Sequence, residues 1–281
     1  MKAASKPYLL AAPLVLFLTL TFGLSFGYEI SGLTLRHFLA VLWNRDFVVS
    51  LVATLSVAAV ATLVSNVGGA ALAFAMLKAR VGGEWVRHIL QLPVIMPHLV
   101  VTVVVFHIFA QTGVLARLTW WLGFIDDPNQ FPLMVFDHFA IGIMLVYLYK
   151  QIPFVAMVCF DSLRGISHRF GDVGENLGAT PWQVATRVYL PLLKPTLMAT
   201  ALITFAFAFG AFEVPFLLGT PLWRTLPVEA YLLHINIDPD AQARSMAINV
   251  IISAISLGLA LVYSSALRVV SHVRHSDGER P

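Results

Sequence analysis

Residues 161–195 read DSLRGISHRFGDVGENLGATPWQVATRVYLPLLKP. This segment lies between apolar runs at 138–160 and 196–219, and it is too long for a plain turn. Its pattern predicts two short helices. In the first, Phe170, Val173 and Leu177 fall at i, i+3 and i+7 and form one apolar stripe. Gly178 follows, as glycine commonly does just past a helix end, because without a Cβ it enters the left-handed region freely. Thr180 is placed to cap a second helix, and Pro181 suits its first position, where the missing N–H costs nothing. Trp182, Ala185 and Val188 make the second stripe, which Leu190-Pro191 is expected to end.

Outside this segment the chain is built for lipid. Of its 281 residues, 58% are hydrophobic and 12% charged, against about 25% charged in an ordinary soluble domain. Mean hydropathy is +0.81. The net charge of +3 is too small to argue for nucleic acid, despite a pI of 9.1. A lone Cys159 excludes an internal disulfide and any CxxC or Cys/His zinc pattern.

Six apolar runs stand out, at 8–27, 47–77, 89–112, 138–160, 196–219 and 245–267. A spanning helix needs about 20 such residues to cross ~30 Å of hydrocarbon, and all six qualify. None alternates as a membrane barrel strand does. Lys2 and Lys6 precede the first run, as in a secretory signal. That run exceeds the ~7–15 residues of a signal core, and more spans follow, so an uncleaved helix is expected. Residues 1–281 are read as a single all-α membrane domain with six transmembrane helices. The polar tail after Arg268 is expected to lack structure.

Basic residues gather on the cytoplasmic side of membrane proteins. With the N terminus inside, twelve lie in inner segments, among them Lys78, Arg87, Arg164, Arg187 and Lys194. Five lie outside, at Arg36, Arg45, Arg117, Arg224 and Arg244, while Lys150 falls within a span. Both termini and the 161–195 segment are therefore expected in the cytoplasm. A pair of short helices there could bind DNA, lie on lipid or dock a cytoplasmic partner. Tethering at both ends to the membrane argues against the first.

The same residues resemble a family. Binding-protein-dependent ABC permeases carry a loop of the form E-A-A, three residues, G, nine residues, I-x-L-P. Here Asp172-Val173-Gly174 is followed after three residues by Gly178, and after nine more by Val188-Tyr189-Leu190-Pro191. The opening triplet departs from the family pattern: aspartate replaces glutamate, and valine and glycine replace the alanines. Residues 33–55, Leu92–Pro97 (LPVIMP) and Phe209–Gly219 (FGAFEVPFLLG) resemble other stretches of such permeases, so the likeness covers about residues 30–265. The type nearest in sequence is the polyamine (spermidine/putrescine) permease, with thiamine, ferric iron and aminoalkylphosphonate systems nearby.

The resemblance implies a type I ABC importer fold with a cytoplasmic coupling helix. It implies a pair of permease subunits (expected to be non-identical), an ATPase dimer beneath them and a periplasmic solute-binding protein above. Asp172, Val173, Gly174, Glu175, Gly178, Ala179, Leu190 and Pro191 would form the ATPase-coupling surface. No cofactor is expected in this chain, since ATP and magnesium belong to the partner, and no metal site or catalytic residue is expected either. The localisation implied is a bacterial inner membrane.

Polar residues within the spans are the remaining candidates, because a charge at membrane depth costs at least ~2.5–3.5 kcal/mol and normally faces a cavity or a partner. Lys150, Gln151 and Glu213 either line a solute path or, for Lys150 and Glu213, pair to fix adjacent helices. Being opposite in sign, the two charges leave the solute's own charge open. His98 and His107 lack a ligand set, and Asn66 and Asn249 read as interhelical glue. Ala61, Ser65, Gly69 and Ala73 recur every four residues and permit close helix approach. A secondary transporter is the rival function, but it leaves the 161–195 segment without a role. No HExxH, GxSxG or P-loop pattern supports an enzyme.

Overall fold

The computed structural model describes residues 36–79, 83–176 and 178–276. The first apolar run, 8–27, lies outside them. The regular elements described are all helical. Among the described residues, five stretches, two of them built from consecutive helices, are long and apolar enough to cross a membrane: Arg45–Lys78, His98–Trp121, Ile141–Arg164, Trp182–Gly210 and Pro239–Leu259.

Helix α1 (Arg36–Leu42) is short and leads into α2 (Arg45–Lys78), which Asn44 caps by accepting the Asp46 N–H at 2.7 Å. The expected third span is not one helix. It divides into α3 (Glu84–Ile95) and α4 (His98–Phe109), with the break at Met96-Pro97. Met96 takes an extended ψ of 134°, because a residue preceding proline is pushed out of the helical region. A short helix, α5 (Val114–Trp121), follows.

Helix α6 (Ile141–Asn176) corrects the two-helix reading of the 161–195 segment. Its expected first short helix is a continuation of the span, 36 residues without interruption. Helix α7 (Pro181–Val184) then leads through a wide turn at Ala185–Tyr189 into α8 (Leu190–Gly210). Leu190-Pro191 therefore does not stop the second helix. The ring of Pro191 would clash with the carbonyl four residues back. The wide turn, in which the Leu190 N–H reaches back to the Ala185 carbonyl, accommodates it.

The expected fifth span also breaks, at Ala211–Phe212, before α9 (Glu213–Leu218). Helix α10 (Leu226–His234) precedes α11 (Pro239–Ser276), which stays helical through the tail after Arg268 that its polarity predicts to be unstructured.

Helix α2 packs chiefly on α6 and then on α8. Ala61, Ser65, Gly69 and Ala73 are all buried on it. A Cβ added at Gly69 would lie 2.5 Å from Cβ of Val155, so the four-residue repeat serves packing within this chain. Two apolar cores result. One gathers Ala58, Ala61, Ile143, Tyr147, Phe209 and Ile248, and the other Ala73, Val155, Cys159, Leu163 and Leu193 at the end that carries the 161–195 segment. Between them lies a polar layer joining α2, α6 and α8. Ser65 Oγ donates to Gln151 Oε1 at 2.9 Å, and Thr200 Oγ1 donates to Asn66 Oδ1 at 2.7 Å. Asn66 Nδ2 donates to Thr204 Oγ1 at 3.3 Å.

Candidate functional site

At the end carrying residues 161–195, the long helix α6 stops at Asn176 and the chain reverses. Asp172, Val173, Gly174 and Glu175 occupy its last turns. Gly178 supplies the reversal with φ of +82°, and a Cβ there would meet nothing within 4 Å. Only the backbone conformation demands glycine at this point. Ala179 is half-buried, and Thr180 opens the next helix with a reciprocal capping box. Its Oγ1 accepts the Gln183 N–H at 3.3 Å, while Gln183 Oε1 accepts the Thr180 N–H at 2.8 Å. Reading the sequence for apolar stripes misses Gln183, although the spacing Thr-x-x-Gln is the signature of such a box.

The expected stripe of Trp182, Ala185 and Val188 is displaced. Val184 is buried, and Trp182 is 76% exposed. Trp182 instead borders an apolar groove of about 1310 Å³ between α2 and α7–α8, whose lining includes Asn66, Phe74, Lys78, Pro191 and Lys194. Leu190 lines the same groove. On another side, Arg87 Nη2 donates to both carboxylate oxygens of Asp161 at 2.7 and 2.6 Å, tying α3 to α6. Both side chains are half exposed, so the pair adds at most about 1 kcal/mol.

The second cluster surrounds the two helix breaks. Lys150 is buried on α6, and its Nζ donates to the Met96 carbonyl at the end of α3. The same nitrogen lies 3.5 Å from Nδ1 of His98, the first residue of α4. Glu213 is the first residue of α9 and is exposed. It forms no ion pair with Lys150, although His98 lies within electrostatic reach of both. Gln151 does not face an open path, being held in the polar layer by Ser65 and, at 3.4 Å, the Thr204 carbonyl.

Aromatic rings border this cluster. His98 packs on Phe207 with centroids 4.4 Å apart, and Phe212, Phe216 and Tyr231 form a three-ring group with centroids 4.9–5.5 Å apart. His107 is exposed, its Nδ1 against the Val103 carbonyl at 2.8 Å.

The family described as "Binding-protein-dependent transport system inner membrane component" matches residues 65–274. The chain belongs to that family. As a binding-protein-dependent permease it is a non-catalytic membrane subunit of an ABC importer. It is similar to the sulfate transport permease CysT of Escherichia coli (strain K12), at 26% identity over 80% of this chain and 79% of the relative. It is likewise similar to the molybdenum transport permease ModB of Azotobacter vinelandii, 26% identical over 75% of this chain and 91% of the relative. The spermidine/putrescine permease PotB of Salmonella typhimurium (strain SL1344) is 27% identical over 78% and 74%. A chain of the bacterial ABC transporter that imports the acidic polysaccharide alginate superposes with a TM-score of 0.74 at 19% identity, covering 94% of this chain and 95% of that one. The permease fold is therefore shared across relatives with different cargoes.

Proposed function

We propose that this permease moves a small polar solute inward, driven by ATP hydrolysed on a separate ATPase dimer that docks on residues 161–195. The carrying observation is the continuity of α6, from the level of Lys150 to Asn176, followed by the left-handed turn at Gly178 and the capped start of α7. A rigid helix that runs from mid-bilayer to a surface knob transmits displacement, because its backbone hydrogen bonds leave few soft torsions. Asp172 to Glu175, Gly178 and Ala179 supply the contact surface, with Leu190 and Pro191 behind it.

A second permease subunit, expected to be non-identical, completes the pathway, and a periplasmic binding protein delivers the solute. Both termini face the cytoplasm of a bacterial inner membrane, as the twelve inner and five outer basic residues favour. Polyamine-like solutes are the first choice by resemblance, with thiamine, iron and aminophosphonates behind them. The relatives add sulfate and molybdenum transport to that range.

Purification of the full chain from its own membranes, after crosslinking from cysteines placed at Glu175 or Ala179, tests the reading. Capture of a soluble ATPase is expected. If those cysteines react only with an impermeant reagent outside intact cells, the docking surface is misplaced. A secondary transporter would bring down no ATPase.

A further inference from the structure

We propose that the groove between α2 and α7–α8 is a site for an anionic phospholipid of the inner leaflet, with acyl chains along α2 and the phosphate between Lys78 and Lys194. The site is separate from any solute path, and only the orientation of the chain is shared with the importer reading above.

The groove has the depth of one leaflet. Its lining follows α2 from Asn66 to Lys78, a rise of about 18 Å at ~1.5 Å per residue. Half of a ~30 Å hydrocarbon core is about 15 Å. At the deep end Asn66 is already bonded to Thr200 and Thr204, so no polar group there calls for a ligand. Between the ends the walls are apolar, with Val67, Ala71, Phe74 and Met198 among them. The volume of about 1310 Å³ exceeds the ~300–1,000 Å³ of an ordinary small-molecule pocket, and an open, elongated apolar trough suits hydrocarbon chains.

Charge selects the headgroup. The charged residues of the lining are both cations, and no carboxylate belongs to it among the described residues. Lys78 closes α2 and Lys194 lies near the start of α8, so both sit at the shallow end, beside the 161–195 segment. Both are exposed. Basic residues at that level attract anionic lipid headgroups. The exposed Trp182 borders the same mouth, and indole rings favour the headgroup level. The chain's own apolar run at 8–27 is a poorer occupant, because Lys2 and Lys6 would add two cations to the two already there.

The test uses the permease purified from its own membranes with the subunits that accompany it, so that any face another subunit covers stays covered. It is placed in phosphatidylcholine nanodiscs holding a trace of phosphatidylglycerol or of phosphatidylcholine, each with a diazirine at mid-chain. After illumination, mass spectrometry locates the labelled peptides. Phosphatidylglycerol is expected to label residues 67–74 and 197–201 about twenty-five-fold more than phosphatidylcholine, at about five-fold per lysine. Lys78→Gln and Lys194→Gln should each lower that excess about five-fold, and the double variant should abolish it. Should a variant fail to assemble, high salt on the wild-type assembly replaces it and should shrink the excess.

Equal labelling by the two lipids makes the groove an ordinary lipid-facing surface and overturns the site. So does an excess that neither the variants nor salt reduces. Absence of label from the groove means that a second subunit or residues 8–27 fill it, which overturns the site equally. Capture of an ATPase is untouched by these results, so the two readings fail separately.

Discussion

At the residue scale, Gly178 carries the sharpest demand. Its φ of +82° strains any residue with a Cβ, and a β-branched one most. Gly178→Val should still insert but lose solute uptake, with about 1–2 kcal/mol of strain at the turn. Gly178→Asn should retain much of the uptake, since asparagine enters the left-handed region more readily. Because the site around a Cβ is open, a loss in both variants would point to a direct contact there and not to backbone strain. The capping box offers a gentler probe. Thr180→Ala removes the acceptor for the Gln183 N–H and should cost about 1 kcal/mol, visible as faster amide exchange in α7.

At the scale of elements, the close approach of α2 holds α6 in place. Gly69→Ala would put a methyl group 2.5–2.6 Å from the Val155 side chain, and 3.0 Å from the Ala156 backbone nitrogen. Overpacking of this kind costs about 1–3 kcal/mol, and a lower melting temperature in detergent would register it. Gly68→Ala is the control. Its methyl group would meet only the flexible end of Ile152, at 3.3 Å, and should be tolerated. The polar layer of Ser65, Asn66, Gln151, Thr200 and Thr204 lies between the two apolar cores and locks α2, α6 and α8 in register. Hydrogen bonds of this type are worth up to about 1–2 kcal/mol in lipid. The three helices that it joins include α6, which runs on to Asn176.

At the scale of the whole molecule, the asymmetry of basic residues is the argument for an orientation with both termini inside. A topology reporter that is active only outside the cytoplasm should be silent when fused after Arg169 and active when fused after Asp127. The reverse pattern would invert the chain and remove the proposed ATPase surface from its partner. Members of the family are named for sulfate, molybdenum and polyamine transport, so the fold tolerates different cargoes.

Several things were decided by the sequence alone. Apolar runs of sufficient length demand helices in lipid, where every backbone group must find a partner within its own segment. The Gly178 turn and the Thr180-Pro181 start were equally legible, because each depends on the stereochemistry of one or two residues. The continuity of α6, the breaks at Met96 and Ala211, and the survival of the helix past Pro191 were decided by the tertiary structure. Distant partners enter two of these features, Lys150 at the Met96 carbonyl and the glycine of α2 against Val155 of α6, whereas the wide turn at Ala185–Tyr189 carries the chain past Pro191. The same holds for roles. Sequence placed Lys150, Gln151 and Glu213 together as charged or polar intruders, but only packing showed that Lys150 reaches the Met96 carbonyl and Gln151 the Ser65 hydroxyl, while Glu213 is exposed. A local pattern records what a segment can do, whereas the state of a buried polar group depends on which distant atom reaches it first.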